Sequence, residues 1–380
     1  MQCICICIIR LFFTKRKGLV YMYTNYQPDF ENLRKALTTN EPLSRIPQWE
    51  LFHDIEVMEF FLGEKLAFDA LSGDGAAKDK LISQILRFQL MHGYDFMRTS
   101  PLVGFTFTNR KSTENTAEHA KEGSNRTWVD ESSSTISSWE DFENYKWPKP
   151  NEISYELIER SAKLIPDGMK MAVGTSGVLE NVQWLMGYEA MAFAVYDDPD
   201  LIAAMFEKVG SILLSAYENA AQMDKVGMMA MGDDMGFKGG TLFAPDFMRK
   251  YVFPWQKKCV DVAHKNGHFF VLHSCGNLDD IMDDLIDYVG IDAKHSFEDV
   301  ITPVEEAYKK YHKRIGIVGG LDVDLICRGT EEEVRKRTRE ILEACAPGGR
   351  YAMGSGNSVT NYMNLNNYLA MHDETRKFKL

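Results

Sequence analysis

The feature that most constrains this chain is a rhythm. A short β-branched or aromatic run gives way to a polar or glycine-rich corner, then to an amphipathic helical stretch, and the unit recurs along most of the sequence. Such alternation predicts parallel βα units, because a helix between two strands lets both run in one direction and covers their apolar face. Eight candidate strands follow: 45–52 (RIPQWELF), 94–100, 170–177, 226–234, 268–276 (HFFVLHSCG), 290–298, 314–322 and 350–357. Between them, apolar residues recur at helical spacing behind the start signal Asp198-Pro199. Pro254 predicts a kink or boundary, and Thr302 and Thr330 stand as caps before acidic first turns. Eight strands alternating with helices is the count of a single α/β (β/α)8 TIM barrel. No dinucleotide fingerprint follows the first strand, which argues against a doubly wound sheet.

Two segments break the rhythm. Residues 104–150 are polar with little periodicity, yet Trp128, Trp139 and Trp147 are costly to leave in water. We expect an ordered insertion, a loop or hairpin lying over the barrel mouth. Residues 1–27 are expected to form an extension outside the domain, which we place at 28–380. Their apolar run is interrupted by Arg10 and is too short to span a bilayer, and its basic residues follow the run, unlike a signal peptide. Met22 is an alternative start. Cys3, Cys5 and Cys7 lie in this extension, and Cys259, Cys275, Cys327 and Cys345 are scattered. Irregular spacing in a long chain is no disulfide framework, so a cytoplasmic location is expected, with no membrane partner. The formal charge of −12 disfavours nucleic acid.

In a barrel the chemistry sits at the C-terminal ends of the strands. Here the fourth strand ends in Asp233-Asp234, the fifth in His273-Ser274-Cys275, and the sixth carries His295 and Glu298. The seventh ends in Asp322 and the eighth in Ser355 and Asn357. His273 and Cys275 are two apart, so on a strand they share a face, and imidazole and thiolate are both zinc ligands. An inert buried cysteine beside a hydrogen-bonded histidine would give the same spelling. Asp233, Asp234 and Glu298 offer a metal-ligating, ligand-orienting or general-base carboxylate, or ordinary caps and surface ion pairs. Gly354, Ser355 and Asn357 form a flexible corner of the kind that binds phosphate or a cofactor in barrels, or a plain βα turn.

Together the segments GDDMG (232–236), PDFMRKYVFPW (245–255), HSCGN (273–277), DAKHSFED (292–299), IGIVGGLDVD (315–324) and GSGNSVTNY (354–362) resemble the uroporphyrinogen decarboxylase superfamily, in its corrinoid-dependent methyltransferase-like branch. The resemblance runs over about residues 30–375. The decarboxylase proper carries an arginine-rich Arg-Gln-Ala-Gly-Arg-Tyr segment on its first strand, which answers porphyrinogen carboxylates. RIPQWELFHDIE in this chain has no such arginine pair.

The resemblance implies zinc held by His273 and Cys275. It also implies methyl transfer to or from the cobalt of a corrinoid, here carried on a partner protein. Thiol-methylating members have a second cysteine on the last strand, where this chain has Ser355 or Asn357. A carboxylate from Asp233, Asp234 or Glu298 would then complete the set, leaving a harder Lewis acid suited to an ether oxygen. The expected reaction is demethylation of a small methylated substrate, a methyl ether with methoxylated aromatics among the candidates, with the three tryptophans shaping the pocket or covering the corrinoid. The alternatives are a metal-free decarboxylase-like lyase and a non-catalytic corrinoid- or tetrapyrrole-binding protein.

Overall fold

The computed structural model describes residues 26–41, 43–68, 73–114 and 125–380. The cysteine-rich stretch 1–25 lies outside them. Seven of the eight expected strands form one parallel sheet in chain order, and it curls into the barrel wall. These are Phe96–Thr99, Lys170–Ser176, Val226–Gly232, Phe269–His273, Ala293–His295, Gly316–Val318 and Tyr351–Ala352, counted below as the second to eighth. The fourth and fifth are apolar through almost their whole length, and the third through its buried middle, Met171–Val173, because both faces are covered, the interior on one side and helices on the other. Phe96, Ala172, Met228, Val271, Ala293, Val318 and Ala352 line the interior with Trp49, while their strand neighbours pack outward on the helices.

The first expected strand, 45–52, is a correction. It forms no ladder and is held by isolated parallel bridges, Gln48 with Met353 and His53 with Val359. Trp49 N–H donates to the Met353 carbonyl (2.8 Å) and Met353 N–H to that of Pro47 (3.0 Å). Pro47 has no N–H to give, which limits the ladder. Toward the second strand the seam is closed by side chains: Trp49 lies 6.1 Å from Phe96, and the Arg98 guanidinium stands 5.5 Å over its ring. At Gly354 a Cβ would sit 1.9 Å from the Trp49 carbonyl oxygen. Gly354→Ala is therefore expected to lower unfolding free energy by about 1–3 kcal/mol through overpacking, read as a shift in urea midpoint. An unchanged midpoint would show that the seam has slack.

The helices follow their signals with two adjustments. Asp198 caps Pro199–Ala220 through Leu201 N–H, and Thr330 forms a full capping box with Glu333. Thr302 does not cap, because Pro303 takes the N-cap place before Val304–Tyr311. Before Pro254 the chain adopts a π-helical turn, Met248–Val252, and Phe253–Lys265 then continues as α-helix, so the proline marks a boundary. The insertion is ordered where described: a hairpin of Arg110–Glu114 with Asn125–Val129, then helix Trp139–Asn144. Its backbone is tied to the last turn of helix Val178–Met186, where Thr135 and Ile136 N–H both donate to Leu185 O. Trp147 packs on the outer helix near Ile212 and Lys208, and Trp128 and Trp139 are exposed. Among the described residues no helix is long and apolar enough to cross a membrane, and the four cysteines are free.

Candidate metal centre

Three strand ends finish side by side. Gly232 pairs with His273, and His273 with His295. The backbone bonding continues one step further, Asp233 N–H to His273 O (2.9 Å) and Ser274 N–H to His295 O (2.7 Å). This fixes where each following side chain emerges.

The two adjacent aspartates part company here. Asp233 is fully buried and accepts from Glu180 N–H (2.9 Å), Leu179 N–H (3.4 Å) and the Gln256 amide (2.9 Å). It serves the amides at the start of helix Val178–Met186. Burial raises its carboxyl to about 6, against the pull of those bonds. Asp234 turns to the mouth, where its Oδ1 accepts from Cys275 N–H (2.7 Å). The same oxygen lies 3.5 Å from His273 Nε2, which is itself 3.5 Å from Cys275 Sγ.

Asp234, His273 and Cys275 thus bring one oxygen, one nitrogen and one sulfur within 4.8 Å of one another. Zinc bonds of about 2.0–2.3 Å place tetrahedral donors about 3.3–3.8 Å apart, and the two separations at His273 Nε2, 3.5 Å each, match that spacing. The electrostatics agree. Burial, with His295 and Lys294 beside it, holds His273 well below the usual imidazole range, so the ring is neutral as a ligand must be. Burial and the Asp234 charge push the Cys275 thiol up to about 12. A divalent cation is the group that reverses such a shift, since a coordinating thiol is deprotonated.

Around this cluster the other sequence candidates take different places. Asn357 donates its amide to Cys275 Sγ at 3.1 Å and so stands at the site. Gly354 and Ser355 are not an open ligand-binding corner. Gly354 abuts the first segment, and buried Ser355 gives its N–H (2.9 Å) and hydroxyl to Glu50. Burial raises Glu50 to about 8. Glu298 falls outside the donor cluster and lines a small neighbouring pocket with Lys294, Ser296 and Tyr311. Burial and Asp322 raise its carboxyl. Lys294 is buried and bonds the carbonyls of Ser274 (3.2 Å) and Ser296 (2.5 Å), and burial lowers it to about 8. Asp322 caps the helix Val323–Arg328.

Two residues at the site were missed by the sequence reading. Glu180 is raised to about 9 by burial, then by Asp234, Asp233 and Glu131 of the insertion. The signal was available, because Glu180 opens the helix directly after the third strand. Glu50 lay inside a segment read only as a strand.

A parallel barrel that gathers a His–Cys–carboxylate cluster at its strand ends belongs to the class that keeps its chemistry at that rim. The chain is a member of the uroporphyrinogen decarboxylase (URO-D) family, which matches residues 130–378. It is similar to the methylcobamide:CoM methyltransferase MtbA of Methanosarcina acetivorans, 25% identical over 217 residues, 55% of this chain and 60% of that protein. The MtbA of Methanosarcina mazei is 32% identical over 108 residues, 27% of this chain and 30% of that protein. The matches therefore span less than two thirds of these relatives. Among solved structures, a methyltransferase from Methanosarcina mazei shares the fold with a TM-score of 0.64 at 16% identity, covering 91% of this chain and 98% of that one.

Proposed function

We propose that this chain is a methyltransferase that moves a methyl group from a small methyl ether, such as a methoxylated aromatic, to the cobalt of a corrinoid carried by a partner protein, using zinc held by Asp234, His273 and Cys275. The observation that carries this reading is the convergence of those three donors at the mouth. Zinc bound there supplies Lewis acidity toward the ether oxygen. One thiol, one imidazole and one carboxylate make a harder set than paired thiolates, which favours an oxygen over a sulfur substrate. The relatives' name pairs methylcobamide with CoM; the harder donor set favours an ether here.

With a cobalt(I) corrinoid as acceptor, the carbon–oxygen bond would break with its electron pair staying on oxygen, cobalt(I) would supply the pair that binds the methyl group, and the released alkoxide or phenolate would take a proton from solvent to leave as an alcohol or phenol. The chain's own residues position this event. Asp234 N-terminal to the turn fixes the Cys275 backbone, Asn357 orients the thiol, and Lys294 ties the loops after the fifth and sixth strands together.

The test is anaerobic methyl transfer from a panel of methoxylated aromatics to a cobalt(I) corrinoid protein, followed by the corrinoid spectrum. His273→Ala is expected to slow transfer by about 100-fold or more. Full transfer by that variant, or a wild type without zinc, would rule the proposal out. A second expectation concerns Asn357, which touches Cys275 Sγ. Asn357→Cys adds a soft donor, so zinc should bind more tightly in chelator competition while ether demethylation falls. Weaker zinc binding in this variant would mean that position 357 cannot reach the ion.

A further inference from the structure

His295 is among the most buried polar residues of the chain, yet its ring makes two specific bonds. Its Nε2 lies 3.0 Å from the Ser355 carbonyl oxygen, and its Nδ1 lies 2.8 Å from Nδ1 of His273. A carbonyl oxygen only accepts, so His295 Nε2 carries the hydrogen. In a neutral ring that leaves Nδ1 as a lone pair. The hydrogen in the bond between the two rings must then sit on His273 Nδ1, and His273 Nε2 is left as a lone pair. Nε2 is the atom that faces Cys275 Sγ and Asp234, each at 3.5 Å.

The His295 ring has little freedom to do otherwise. Trp49 packs on it with ring centres 4.7 Å apart. On another side Gly319 has φ +78, and a Cβ there would come within 2.8 Å of the His295 ring and 2.3 Å of the Ser355 oxygen. No carboxylate bonds the ring among the described residues, and its exposure is 0%.

We propose that His295 is a positioning residue: through the chain Ser355 carbonyl, His295, His273 it selects the His273 tautomer whose Nε2 is free to ligate zinc. The inference rests on the zinc reading for its purpose but not for its hydrogen-bond logic, so the two are tested apart. In metal-free protein labelled with nitrogen-15 in histidine, His273 should show the Nδ1–H form. An Nε2–H form would overturn the proposal whether or not zinc binds. In chelator competition, His295→Phe, which offers no acceptor, should weaken zinc binding by about 10–100-fold. His295→Asn places an amide oxygen where Nδ1 stood and should recover most of that loss. Unchanged affinity in a folded His295→Phe, or equal loss in both variants, would overturn the positioning role. Wild type that shows the Nδ1–H form but takes up no zinc would sustain the tautomer and sink the metal reading alone.

Discussion

Metal analysis of the anaerobically purified chain should return about one zinc per molecule, and Cys275→Ser should return almost none. The expected contrast is large because Cys275 supplies the only sulfur of the cluster. Asp234→Asn is the more informative partner experiment. Its amide oxygen can still accept from Cys275 N–H, a bond of 2.7 Å, so the loop keeps its shape. What is lost is the negative charge and a hard ligand. Zinc affinity should therefore fall by about 10–100-fold while thermal stability of the metal-free protein hardly moves. Asp233→Asn should do the reverse, lowering stability with little effect on zinc, because Asp233 serves helix amides rather than the cluster. Equal zinc loss in both aspartate variants would show that the division of labour drawn between them is wrong.

The second large effect is the pH dependence contributed by a buried histidine nest. His53, His92 and His372 lie together in an aromatic nest with Phe61, Phe88, Tyr94 and Tyr368. Burial holds all three rings below the usual range, His92 down to about 4. The Nε2 atoms of His92 and His372 are buried without a hydrogen-bond partner. The charged groups that reach the nest are Arg98 and Arg376, which oppose protonation, and Glu50, which acts through the two tyrosines.

The sign follows from depressed folded-state values. Below about pH 6.5 the unfolded chain takes up protons that the folded chain refuses, so stability is whole above that pH and is lost as pH falls toward 4. For His92 alone the loss between pH 7 and pH 5 is about 2 kcal/mol. Glu50 works the other way. Its raised value means the folded state keeps a proton that the unfolded chain loses between about 4.5 and 8, so its contribution shrinks as pH rises. Glu180 and Asp233, raised to about 9 and about 6, act with Glu50 against the histidines in this window, so the nest is read from the difference between wild type and a variant that lacks one of its rings. Urea midpoints at pH 7 and pH 5 measure that difference, and His92→Phe should remove about 2 kcal/mol of acid-side loss relative to wild type. A slope untouched by that substitution would mean the ring is not buried neutral.

Much of this architecture was legible in the sequence because strand, corner and helix each leave a local mark. The run from Phe269 to His273 announces a covered strand, and the His-x-Cys step announces a shared face. What was illegible depends on contacts made far along the chain. Whether Asp233 or Asp234 faces the mouth is decided by helix amides some fifty residues earlier, which claim Asp233. Segment 45–52 spells a strand, but Pro47 and the close fit of Gly354 reduce it to a bridge. Glu298 looked as eligible as Asp234 until the loop after His295 carried it to a separate pocket. The tryptophans of 104–150 were read as too costly to leave in water, yet only Trp147 is packed while Trp128 and Trp139 stay exposed, because burial cost does not say which of several rings a wall will cover.

The seam carries one more consequence. Ser355 uses its amide and hydroxyl to hold Glu50 on the first segment, and its carbonyl to hold His295. The segment it holds has the thinnest backbone pairing of the barrel. Whatever loosens that joint, whether heat, a mutation at Glu50 or loss of the Glu50 proton above about pH 8, is expected to reach the imidazole pair through Ser355. Hydrogen exchange at Trp49 and Met353 should then rise together with the rate at which zinc leaves, although neither amide touches a donor atom. On the zinc reading, the weakest stave of the barrel and the grip on the ion would share one serine.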